Sequence, residues 1–110
     1  MHAARSIPTL HDTHPCKNLH GHTFKLVIEI DGAINENGFV MDFYDLDKIF
    51  KKIILNKIDH KNLNSISGLE NPSSEHLAVW IWEKLIPHVP NLHQVTVSED
   101  HGTGVRYKGK

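Results

Sequence analysis

The sequence predicts an α+β fold, an antiparallel sheet with two helices on one face, in the element order ββααββ. Three patterns carry this. Residues 20–30 alternate with period two, residues 44–56 and 75–86 repeat apolar side chains at helical spacing, and residues 94–108 alternate again around glycines. A chain of 110 residues buries one core, so a single domain over 1–110 is expected.

Each element has a local reason. Met1 to Arg5 reads as a short first strand, and Ile7-Pro8 and His14-Pro15 then force extended or turning chain. From His20 the even positions His20, His22, Phe24, Leu26, Ile28 and Ile30 share one face, while Thr23, Lys25, Glu29 and Asp31 share the other. The turn dipeptides Asp31-Gly32 and Asn37-Gly38 precede Phe39-Val40-Met41, which reads as the returning strand of a hairpin. Asp42 caps the first helix, whose apolar face is Phe43, Leu46, Ile49, Phe50, Ile53 and Ile54. Ser73 or Ser74 caps the second, with Leu77, Ala78, Ile81, Trp82 and Leu85 inward and Pro87 as the stop. Residues 94–99 and 105–108 form the closing hairpin. A sheet of this kind has open edges, so association with a second copy is expected.

Composition narrows the function. Twelve Lys and Arg against 13 Asp and Glu give a net charge of -1, which argues against a nucleic-acid partner. No apolar run approaches the ~18 residues of a membrane span. One cysteine, Cys16, excludes an internal disulfide and suits a reducing, cytoplasmic setting. Ten histidines point to metal or proton chemistry.

Three local signals bear on chemistry. His20-Gly21-His22 on a strand aims two imidazoles the same way, as a zinc site needs, although histidines are frequent enough here for a chance pair. Cys16 lies four residues upstream, as a ligand or a separate reactive thiol. Asp59-His60 has the composition of an oriented proton-transfer pair, though adjacent residues seldom bond each other. Glu99 ends an otherwise apolar strand, where a carboxylate can grip a flat, two-donor heterocycle.

Taken together, Ala3-Ala4, Ile7-Pro8, Cys16-x-x-x-His20-Gly21-His22, Gly38-Phe39-Val40-Met41-Asp42-Phe43, Asp59-His60-x-x-Leu63-Asn64, Asn71-Pro72-Ser73-Ser74-Glu75 and Glu99 resemble the 6-pyruvoyl tetrahydropterin synthase family. The three residues between Cys16 and His20 resemble its bacterial 6-carboxy-5,6,7,8-tetrahydropterin synthase branch, of the queuosine pathway. The resemblance implies a tunnelling fold whose four-stranded sheets join into a barrel, as trimers or hexamers, with active sites between subunits. It implies conversion of 7,8-dihydroneopterin triphosphate to 6-carboxytetrahydropterin, acetaldehyde and triphosphate. Zn²⁺ on His20 and His22, catalysis by Cys16, Asp59 and His60, and pterin binding by Glu99 are implied with it. The alternatives are the 6-pyruvoyl synthase activity, or a catalytically impaired relative.

One departure bears on all of this. The family's first zinc histidine lies in an Ala-Ala-His motif, and here that stretch is Ala3-Ala4-Arg5. Arg5 is a permanent cation and cannot ligate zinc. His11 and His14 in the following loop are the candidates to replace the lost ligand. Met1 also falls partway through the expected first strand, which reads as shortened.

Overall fold

A computed structural model describes residues 1–110, and its architecture is α+β. The strands are β1 (His2–Arg5), β2 (His20–Thr23), β3 (Lys25–Ile30), β4 (Leu92–Ser98) and β5 (Gly104–Tyr107). The helices are α1 (Phe43–Phe50), α2 (Asn56–Ile58) and α3 (Ser74–Leu85), with a π-helical stretch, Lys51–Leu55, joining the first two. No helix is long and apolar enough to cross a membrane.

The expected four-stranded sheet is instead two antiparallel sheets, β1-β2 and β3-β4-β5. The alternation from His20 to Ile30 is real, but the strand divides at Phe24. Before it, Ala3 pairs with His22 and Arg5 with His20; after it, Lys25 pairs with Ser98 and Ile28 with Val95. Phe24 is fully buried at this handover. A second expectation is also corrected. Phe39-Val40-Met41 forms no strand: Asn35 folds the preceding turn onto it, its Oδ1 accepting from the N–H groups of Asn37 (2.9 Å) and Phe39 (3.1 Å). Those N–H groups are then lost to any ladder.

The helices pack on one sheet face as the pattern predicts. Leu46, Ile54 and Ile58 from the first helical run, Leu77, Ala78, Ile81 and Leu85 from α3, and Val95 and Val97 from β4 form the core. Asp42 caps α1 by accepting from the N–H of Tyr44 at 2.8 Å, and Ser73 caps α3 through the N–H of His76 at 3.1 Å. Phe43, the first residue of α1, departs from its expected inward position and is 75% exposed. Beside it, Leu26, Ile28, Leu46 and Phe50 line an open groove.

The segment after α2 braces β1. The N–H of His60 donates to the His2 carbonyl (2.6 Å) and that of Ala4 to the Lys61 carbonyl (3.0 Å). Asn64 then clamps Ser6 in both directions. Its Oδ1 accepts from the Ser6 N–H at 2.8 Å, and its Nδ2 donates to the Ser6 carbonyl at 2.9 Å and the Glu70 carbonyl at 3.3 Å. Replacing Asn64 with Ala leaves these backbone groups without partners, and chemical denaturation should register a loss of about 2 kcal/mol. A change under about 0.5 kcal/mol would show the clamp to be dispensable.

Candidate active site

The β1-β2 ladder arranges the site. Cross-strand partners share a face, so Arg5 lies opposite His20, and His22 and Phe24 continue the row. The His20 and His22 rings meet edge to face at 4.6 Å between centroids, and His22 packs on Phe24 at 5.6 Å. Against this row the Arg5 guanidinium is buried, 5% exposed, with its carbon 5.1 Å from the Phe24 ring centroid. Arg5 Nη1 donates to the Pro72 carbonyl and to Ser74 Oγ, each at 3.2 Å, and Arg5 Nη2 forms an ion pair with Glu99 Oε1.

Glu99 sits just beyond β4, where its own N–H bonds the Thr103 carbonyl at 2.7 Å and turns the chain. Its Oε1 lies 3.7 Å from His22 Nε2, and Asp100 Oδ1 lies 3.7 Å from His22 Nδ1. Burial, first, and the Arg5 charge, second, hold the His22 imidazole below its ordinary pKa; Glu99 and Asp100 oppose this only in part. Asp100 titrates below the usual carboxylate value. Desolvation, the largest influence, acts against this, and it is outweighed by backbone N–H donors, Thr23 first, together with nearby histidines.

Cys16 and His60 lie on different clefts. Cys16, half-buried in a short 3-10 turn, lines one with Arg5, Ser74 and Glu99. His60 lines the other with His2, His22 and Asp100. Contrary to the sequence expectation, Asp59 and His60 do bond each other: Asp59 Oδ2 lies 3.1 Å from His60 Nδ1. The reason is the backbone, since His60 adopts a left-handed φ of 58°. A hydrogen bond from the His2 N–H to Asp59, the dominant cause, together with His60 holds Asp59 below its usual pKa against a smaller desolvation effect.

The zinc that the resemblance implies would have to draw on these donors. His20 Nε2 and His22 Nε2 are buried without partners, as ligands awaiting an ion are. The third corner is the Arg5 guanidinium, and nowhere do three His, Cys, Asp or Glu side chains gather for a metal. His11 and His14 do not fill the gap. His11 Nδ1 is 3.0 Å from Thr13 Oγ1, and His14 Nδ1 accepts from the Cys16 N–H at 3.1 Å, both rings being exposed. A zinc held by three protein ligands does not fit these residues.

The family model for 6-pyruvoyl tetrahydropterin synthase matches residues 1–110. The chain belongs to this family. It is 38% identical over 111 residues to the 6-carboxy-5,6,7,8-tetrahydropterin synthase of Synechocystis sp., covering 96% of this chain and 84% of the relative. It is 37% identical over 92 residues to the dihydroneopterin monophosphate aldolase of Pyrococcus furiosus, covering 81% and 77%. Among solved structures, the 6-pyruvoyl tetrahydropterin synthase of Caenorhabditis elegans superposes with a TM-score of 0.87 at 27% identity, over 99% of this chain and 89% of that one.

As a 6-pyruvoyl tetrahydropterin synthase family member, the chain places its motif residues where sequence reasoning could follow only some of them. His20, His22 and Glu99 converge, and Cys16 shares a cleft with Glu99. Asp59 and His60 bond each other but do not meet Cys16 within one chain. Asp100, Ser74 and the Arg5–Glu99 pair were missed, although the Glu99-Asp100 dipeptide after an apolar strand is a visible signal.

Because the fold disfavours protonated His22, its contribution to stability is present above the ordinary imidazole value and lost as the pH falls through the lowered one. In an NMR titration His22 should therefore protonate below the ordinary imidazole pKa, and Arg5→Met should move the midpoint upward. A midpoint at or above the ordinary value in the unaltered chain would contradict this electrostatic picture.

Proposed function

We propose that this chain is a 6-carboxytetrahydropterin synthase. In this reading it is a cytoplasmic carbon–carbon lyase converting 7,8-dihydroneopterin triphosphate, with consumption of water, to 6-carboxy-5,6,7,8-tetrahydropterin, acetaldehyde and triphosphate, for queuosine biosynthesis. The observation that carries the reading is the family match along all 110 residues, joined by a relative of that name aligned over 96% of the chain.

The roles follow from what each side chain can do. Glu99 accepts the pterin's amino and ring N–H donors. Its Oε2 carries only a 3.3 Å contact from Thr103 Oγ1 and has lone pairs to offer. Cys16 moves protons at the side-chain carbons from the same cleft. His60, oriented by Asp59, is the partner acid–base. Since His60 lines the other cleft, a second copy brings its Asp59 and His60 to Cys16, which makes the working unit a homo-oligomer, a trimer or hexamer. The free edge of β3 and the exposed Ile34 (71%), Phe43 (75%) and Tyr44 (67%) support such an association. The zinc dependence implied by the resemblance is not carried forward, for want of the third ligand.

One observation favours a second reading, a pterin-binding relative with impaired turnover: Arg5 already occupies Oε1 of the carboxylate that anchors the pterin. Incubation with 7,8-dihydroneopterin triphosphate separates the readings. Release of acetaldehyde and triphosphate is expected, and Cys16→Ser should slow it by about 100-fold or more without moving the unfolding midpoint. Formation of a 6-pyruvoyl product without acetaldehyde would assign the sister activity, and binding without any turnover would favour the impaired form.

A further inference from the structure

Three buried nitrogens in the site lack partners: Arg5 Nε, His20 Nε2 and His22 Nε2. Their chemistry differs. Arg5 Nε–H is a donor and can be nothing else. His20 Nδ1 lies 2.7 Å from the Asn18 carbonyl, an acceptor only, so the proton sits on Nδ1 and the neutral ring presents a lone pair at Nε2. Arg5 and His20 are direct cross-strand partners, so facing residues of one ladder carry an orphaned donor and an orphaned acceptor. An unmet buried polar group costs about 1–3 kcal/mol, so a pair of opposite character on facing residues of one ladder marks a place for a ligand atom that both accepts and donates.

A divalent cation meets only half of this demand. It satisfies the imidazoles and leaves Arg5 Nε–H facing like charge. A hydroxyl oxygen meets both parts, accepting from Arg5 Nε–H and donating its proton to His20 Nε2. The guanidinium is too firmly held to withdraw: Glu99, the Pro72 carbonyl and Ser74 Oγ occupy its other nitrogens, and Phe24 covers its face.

We propose that Arg5 is the resident cation of this site, standing where a metal ion would bridge His20 and His22, and that with His20 it binds a side-chain hydroxyl of the substrate. The chain then needs no divalent ion there. The metal-free character is independent of the pterin reading, and only the identity of the hydroxyl rests on it.

The test reads zinc content first. The unaltered protein, exposed to excess zinc and desalted, should retain under ~0.1 ion per chain, and Arg5→His, which restores a third imidazole, should retain about one. A full equivalent on the unaltered protein would overturn the proposal, even if Arg5→His fails to fold. A folded, metal-free Arg5→His would overturn it too, since the position would then not be the metal's. The second arm uses nitrogen NMR with neopterin, which carries side-chain hydroxyls, and 6-methylpterin, which has none. Neopterin alone should shift His20 Nε2. Equal shifts, or none, would overturn the hydroxyl contact, whereas the turnover assay above judges the synthase reading separately.

Discussion

A buried guanidinium is the constraint around which this site is organised. Taking an arginine side chain out of water costs several kcal/mol unless its donors find acceptors. Arg5 meets that condition by gathering partners from distant parts of the chain: Glu99 after β4, Ser74 at the start of α3, the Pro72 carbonyl, and the face of Phe24. The planar fork of donors makes this possible, and a lysine, with a single head, could not span the same acceptors. The pair therefore ties β1 to the segment after β4 and to the N-terminus of α3. It also fixes the rotamer of Glu99, the carboxylate proposed to hold the pterin.

That arrangement bears on how the family scaffold is used. Two imidazoles on one strand and a third residue across the ladder form a three-cornered cluster, and the identity of the third residue sets what the cluster can hold. With Arg5 there, positive charge is built into the protein, and the cluster leaves an arginine donor and two imidazole nitrogens unmet. The separation of Cys16 from His60 on different clefts is a second feature of the hairpin. Residues of β1 and β2 line both clefts, Ala3, Ala4, Gly21 and His22 on one and Arg5 on the other.

Much of the fold was legible because burial imposes period on sequence. The alternation from His20 to Ile30 and the helical spacing from Leu46 to Ile54 and from Leu77 to Leu85 identify their elements directly. The division at Phe24 was not legible, since the alternation runs through it unbroken while the pairing partner changes from β1 to β4, and partner choice leaves no local mark. Phe39-Val40-Met41 misled because a three-residue apolar run suits a strand or a packed bend equally, and Asn35 decides for the bend. The π-helical stretch preserves the apolar face, so its altered hydrogen bonding is invisible to periodicity. In the site, the loss of the histidine at position 5 could be read, but the pairing of Arg5 with a residue 94 positions away could not. The Asp59–His60 contact depends on a left-handed backbone that no side-chain pattern announces.

The most direct measurement of the central claim is a double-mutant cycle on the buried pair, using Arg5→Met, Glu99→Gln and the combination, each unfolded in denaturant. If the guanidinium is locked to Glu99, Glu99→Gln strands a buried cation and Arg5→Met a half-buried carboxylate, the double change relieves both, and the coupling should reach about 2 kcal/mol. Additivity of the two changes, with coupling inside about 0.3 kcal/mol of zero, would mean that Arg5 does not depend on Glu99 and that the site is not organised around this cation.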